Sequence, residues 1–263
     1  MKKTEKEQIF SLLKTVSAYL PGSSPKDFSE DAVFEDDICE QIFAANNEKT
    51  EAPDFQYNTG EDKTVSLNNL SEKIASCQRC VLAKTRTKTV PGCGVCNPLV
   101  LVIGEGPGFE EDRQGLPFVG PAGKLLDKML FSIQLSRNVN VYIANIVKCR
   151  PPQNRNPYPE EADACSSFLQ SQIAILKPKA ILCAGSVAAQ NLLKTSVGVT
   201  KLRGSFFDYS GIPAAVTFHP SALLRDPSLK ALAWEDLKFF RQKLLSIQPD
   251  YQMIFQNSTE GRN

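Results

Sequence analysis

The sequence predicts an α/β fold: a three-layer α/β/α sandwich around a short four-stranded parallel sheet, behind a helical and disordered N-terminal extension. Four short apolar runs, Leu99–Ile103, Val139–Ile146, Ala180–Ala184 and Ala214–Phe218, have the length of strands. Helical segments at Ala122–Leu135, Glu160–Leu176, Val187–Lys194 and Leu229–Ile247 lie between and after them. Strand–helix alternation of this kind argues a parallel sheet covered by helices on both faces. Sheets of this type take ligands beyond the carboxyl ends of their strands, so the chemistry is to be sought there.

In chain order, residues 4–19 read as an amphipathic helix, with Ile9, Phe10, Leu12, Leu13 and Val16 on one side, stopped by Pro21-Gly22. Residues 26 to about 65 are acidic, turn-rich and aperiodic, the composition of a flexible linker. The stretch Phe34–Phe43 is where this linker would bind a protein partner. The expected division is therefore residues 1–65 as extension, 66–250 as the active domain and 251–263 as a flexible tail. Charge follows the same division. Residues 1–70 carry 7 basic and 14 acidic side chains, a balance of −7, against 23 and 15 in the remainder, a balance of +8. A mildly basic domain suits a phosphate-bearing partner. No run of residues is long and apolar enough to span a membrane. The charged start Met1-Lys2-Lys3-Thr4-Glu5-Lys6 is no signal peptide. Eight cysteines without an export signal indicate reduced thiols or metal ligands, and a cytoplasmic protein, expected to be a monomer.

Three of the four strand ends carry conspicuous residues. The first runs into Gly104-Glu105-Gly106-Pro107-Gly108, and then Gly115-Leu116-Pro117-Phe118-Val119-Gly120, where glycines let the backbone approach a ligand closely. The glycine spacing and the prolines are wrong for a dinucleotide-binding turn. Phe118, between Pro117 and a glycine-rich turn, reads as an exposed aromatic able to stack on a base. The second strand ends in Asn145, whose carboxamide offers one donor and one acceptor to a base edge. The fourth ends in His219-Pro220-Ser221-Ala222-Leu223-Leu224-Arg225, with the only histidine in the chain. Leu223 and Leu224 follow it in an expected loop, where an apolar wedge could enter a base stack.

From about Leu70 to Ile247 the chain resembles the family 4 (iron–sulfur type) uracil-DNA glycosylases. The resemblance runs through GEGPG-x-x-ED-x-x-G-x-PFVG-x-AG, NIVKCRPP-x-NR, KLRG and HPS-x-LLR, all in order. It implies a DNA-repair hydrolase that cuts the N-glycosidic bond of uracil in DNA and leaves an abasic site. It also implies a [4Fe–4S] cluster on Cys77, Cys80, Cys149 and Cys165, the last two separated by 15 residues. On this reading Asn145 reads the N3–H and O4 edge of uracil, Phe118 stacks on it and His219 donates a hydrogen bond to O2. Leu223 is the wedge, and Glu105 positions water and faces the cationic sugar. Glu111 either shares that task or guards the C5 face against thymine's methyl. Gly104, Gly106, Asn154 and Ser221 complete the expected substrate-binding set.

The chain departs from the family at Cys93-Gly94-Val95-Cys96, a second C-x2-C. Read locally, Cys77, Cys80, Cys93 and Cys96 have zinc-ribbon spacing, and a non-catalytic nucleic-acid binder is the corresponding alternative. A covalent uracil-DNA binder is another, but the segment Lys201–Phe206 lacks the inserted histidine that a covalent relative uses. Cys39 and Cys183 are expected to be free thiols.

Overall fold

A computed structural model describes residues 63–260. The expectations for the N-terminal helix, for Phe34–Phe43 and for Cys39 lie outside the described residues. The core of the fold is a six-stranded sheet in the order β1-β3-β2-β4-β6-β5. Its four central strands, β3 (Val141–Asn145), β2 (Val100–Gly104), β4 (Ala180–Ala184) and β6 (Ile212–Thr217), are parallel and match the four predicted runs. The four-stranded parallel sheet of the sequence reading is therefore the centre of a larger mixed sheet. The two added strands are antiparallel edges: β1 (Cys93–Gly94) on β3 and β5 (Phe206–Tyr209) on β6.

The central strands are continuous apolar runs because both faces are covered. Every residue of β2, β3 and β4 is buried. Alternate side chains feed two separate cores, as a period of two requires. Leu101, Ile103, Tyr142, Ile181, Cys183 and Val216 pack on one face. Val100, Val102, Val141, Ile143 and Leu182 pack on the other. Helix α1 (Lys63–Ala75) buries Leu67, Leu70 and Ile74, spaced three and four apart, against α4 (Pro159–Leu176) on the first face. On the second face lie α3 (Pro121–Phe131) and α8 (Leu229–Ile247).

The C-terminus departs from the expected flexible tail, since residues Tyr251–Glu260 form a helix, α9. Tyr251 is 1% exposed and its hydroxyl donates to the Ile133 carbonyl at 2.9 Å, while the Phe255 ring meets Phe131 edge-on at 5.4 Å. Two aromatics with partners hold this segment to the domain. Among the described residues no helix is long and apolar enough to cross a membrane.

Candidate active site and cysteine cavity

The sheet register brings the first two motifs together. Gly104, the last residue of β2, is the direct neighbour of Asn145, the last of β3. A Cβ at Gly104 would collide with Asn145 Oδ1 and would stand 2.6 Å from the Phe118 ring, so only glycine lets these two side chains meet over the strand end. Phe118 in turn faces His219, with ring centroids 5.5 Å apart and planes tilted by 33°. His219 rests on Gly185, which follows β4 with φ +97°, and a Cβ there would meet His219 Cβ at 2.8 Å. Asn145 is 1% exposed, and its Oδ1 has no hydrogen-bond partner among the described residues. A buried acceptor left open in this way costs free energy unless a ligand supplies the donor.

His219 is held in one tautomer. It caps α7 (Pro220–Arg225), and the Ser221 N–H donates to its Nδ1 at 3.2 Å. The Ser221 hydroxyl lies 2.7 Å from the same nitrogen. An Nδ1 that accepts leaves the proton on Nε2. Burial lowers the histidine's pKa to about 4, helped by the positive charge of Arg225 and opposed by Glu111. The side chain is thus a neutral Nε2–H donor near neutral pH. Glu105 is partly buried; burial raises its pKa and Arg225 lowers it again.

Glu111 is held by main-chain donors. Its Oε1 accepts from the N–H groups of Val119 (2.9 Å) and Gly120 (3.0 Å), and its Oε2 accepts from Gly108 N–H (3.1 Å). With three main-chain donors bound, it ties α2 (Phe109–Gln114) to the Phe118 loop and leaves Glu105 as the uncommitted carboxylate. Phe118 is only 7% exposed, so it is no projecting loop aromatic. Its φ of 53° is unusual for a non-glycine residue and costs roughly 1–3 kcal/mol. Arg137, which the sequence reading overlooked, supports that conformation. Its guanidinium donates to the carbonyls of Pro117 (2.9 Å) and Phe118 (3.0 Å) and pairs with Asp127 at 2.9 Å. Gly123 accommodates the same loop, because a Cβ there would strike the Phe118 carbonyl. Its place in the G-x-PFVG-x-AG motif was the available signal.

Two further expectations change. Leu223 is 1% exposed and belongs to the core, whereas its neighbour Leu224 is 47% exposed. The segment is a helix rather than a loop, and one 100° step turns Leu224 away from the face that buries Leu223. Asn154 is exposed beyond the strand ends, where its Oδ1 accepts from Arg150 Nε at 2.7 Å. Gly106 lies against Val147, 2.8 Å from a built Cβ, and so fits the second strand's loop.

Cys77, Cys80, Cys149 and Cys165 all line one small cavity. Cys93 and Cys96 do not line it: Cys93 is in β1, paired with Ile143, and Cys96 accepts from the Thr64 hydroxyl at 3.5 Å. Arg79, Arg86 and Lys148 also line the cavity, so three cations surround four thiols. Arg86 Nη1 donates to Cys149 Sγ at 3.2 Å. Burial pushes the Cys149 thiol up to about 11, against the pull of Arg86, and Cys165 upward as well. Among the described residues no three His, Cys, Asp or Glu side chains converge on a point that could hold a single ion. In chemistry, four thiols on one lining are the donor set that a four-cysteine iron–sulfur cluster takes. Lys148, 1% exposed, connects the cavity with the strand end. Its ammonium donates to the Asn145 carbonyl (2.8 Å) and to Gln172 Oε1 (2.7 Å), and Gln172 donates to the Pro91 carbonyl (2.8 Å).

Comparison with known proteins agrees with this geometry. Residues 91–238 match the family described as the Uracil DNA glycosylase superfamily. The type-4 uracil-DNA glycosylase of Thermotoga maritima is 43% identical over 173 residues, which are 64% of this chain and 90% of that protein. That of Archaeoglobus fulgidus is 40% identical over 181 residues, 66% of this chain and 90% of the relative. A type-5 uracil-DNA glycosylase of Pyrobaculum aerophilum is more distant, at 32% over 152 residues, 52% of this chain and 67% of the relative. The chain belongs to the uracil-DNA glycosylase superfamily, among its type-4 members.

Proposed function

We infer that the chain is a DNA-repair glycosylase that hydrolyses the N-glycosidic bond of uracil in DNA and leaves an abasic site. The single observation that carries the reading is that the neutral Nε2–H donor of His219 and the open Oδ1 of Asn145 are gathered around Phe118 at the strand ends. The target nucleotide leaves the stack, since its reacting carbon is out of reach inside a duplex. Asn145 Oδ1 accepts from uracil N3–H and its amide donates to O4, a pattern that cytosine inverts. Phe118 lies against the base. As the bond to the sugar lengthens, negative charge grows on the base and positive charge on the sugar. The Nε2–H of His219 is directed at uracil O2 and meets that charge without changing its own protonation state. Glu105 positions the water that attacks the sugar carbon and stabilises the cationic sugar. Ser221 and Gly185 set the histidine, while Glu111 and Arg137 set Phe118. Leu224 replaces Leu223 as the apolar side chain facing the DNA.

Cys77, Cys80, Cys149 and Cys165 would hold a [4Fe–4S] cluster, with Arg79, Arg86 and Lys148 compensating its negative charge. When bound, the cluster ties the segment after α1 to α4 and to the loop after β3. Lys148 transmits that tie to the Asn145 backbone. The test offers cluster-loaded protein matched oligonucleotides containing U, T or C, and abasic sites are scored by alkaline cleavage. Cleavage of the U strand alone is expected; a folded, cluster-loaded sample inert toward all three overturns the reading.

A further inference from the structure

Beyond the strand ends, two exposed aromatics are each covered by an arginine, and neither takes part in the chemistry above. Phe109, first residue of α2, is 57% exposed, and the Arg150 guanidinium lies 5.0 Å from its ring centroid. Tyr158, just before α4, is 56% exposed, and the Arg155 guanidinium lies 3.7 Å from its centroid. The two pairs are linked, because Arg150 Nε donates to Asn154 Oδ1 at 2.7 Å and Asn154 precedes Arg155 in the chain. Between the arginines, Gln153 and Asn154 both adopt positive φ, 55° and 54°, although neither is glycine. Strain of this kind in an exposed turn persists where the shape of the turn is needed. The arginines are fixed rather than loose. Arg155 forms a two-pronged pair with Glu161 at 2.8 and 2.7 Å, and Arg150 is held by the Asn154 amide oxygen.

Flat rings alternating with guanidinium planes suit stacked, unpaired bases and the phosphates between them. A paired duplex hides its base faces and can use only the charges. We propose that Phe109, Arg150, Arg155 and Tyr158 form a stacking platform for unpaired nucleotides flanking the target, and that the enzyme's preferred substrate is uracil in single-stranded DNA. The proposal rests on the glycosylase reading for its biological meaning, but its test does not.

Binding of the full-length, cluster-loaded protein to a short fluorescent oligothymidylate, and to the same strand annealed to its complement, separates the possibilities. Neither probe contains uracil, so excision plays no part in the signal. The unmodified protein should bind the single strand more tightly than the duplex. Phe109→Ala and Tyr158→Ala should each weaken single-strand binding about 5- to 100-fold, the span expected for one lost base–aromatic stack, while duplex binding changes by less than about two-fold. Phe109→Trp should restore the single-strand affinity. Unchanged single-strand binding in either alanine variant overturns the platform, and so does an equal loss on both probes, which would mark a general phosphate surface. Excision of uracil by the same unmodified sample is scored separately, so failure of the platform and failure of the glycosylase reading are told apart.

Discussion

His219 shows how far local chemistry reaches into function. As the only histidine in the chain, at a strand's carboxyl end, it was legible in the sequence as a candidate site residue, but its protonation state was not. That state depends on Ser221 two residues on, on burial against Phe118, and on Arg225 nearby. It has a consequence for stability. The folded protein keeps His219 neutral down to about pH 4, whereas an unfolded histidine takes up its proton near 6.5. Between those values the unfolded state binds more protons, so stability falls as pH drops through this window and is unaffected by this group above it. Thermal midpoints of the native protein and of His219→Gln, measured from pH 4.5 to 7.5, should converge toward the acid end, with the native protein losing more. Parallel curves would mean that the histidine is not held neutral. Leu223 illustrates the opposite case. Nothing in two consecutive leucines says which one faces inward until the helix that carries them is known.

Among the elements, the four parallel strands were readable because burial on both faces makes each a solid apolar run. The edges were harder. Strand β1 is two residues long and consists of Cys93 and Gly94, below the length at which any pattern exists. The β5–β6 hairpin did leave a signal. Ser210 and Gly211 both have positive φ, 51° and 84°, as a two-residue hairpin turn requires, and Asp208 accepts from Gly211 N–H at 3.2 Å. The two C-x2-C motifs belong to different elements, which spacing alone could not tell. Cys77 and Cys80 follow α1 and line the cavity with Cys149 and Cys165, whereas Cys93 and Cys96 border the sheet edge. Cys149→Ser or Cys165→Ser should therefore strip most of the iron and its visible absorbance from anaerobically purified protein. Cys93→Ser and Cys96→Ser should retain about four irons per chain. Zinc in place of iron, sensitive to Cys93 but not to Cys149, would contradict the assignment.

Taken as a whole molecule, the domain gathers its chemistry at one end of the sheet and supports it from both faces. Arg137 and Glu111 fix the Phe118 loop from the α3 side. Lys148 and Gln172 fix the Asn145 strand from the cysteine side. Arg137 and Lys148 were not legible in advance, because a buried arginine or lysine is recognised only by the carbonyls it meets after folding. The helix Tyr251–Glu260 was missed for a similar reason, since Tyr251 and Phe255 meet Ile133 and Phe131, more than a hundred positions earlier. On the proposed function, this assembled end of the sheet stabilises departing uracil through His219. Its most direct test is the single-turnover rate of uracil excision, at saturating protein, for the native enzyme and for His219→Ala. The rate should fall about 10²–10³-fold, with the affinity for uracil-containing DNA held within a few-fold. A variant that cleaves within a few-fold of the native rate would contradict it and move the stabilising group away from His219.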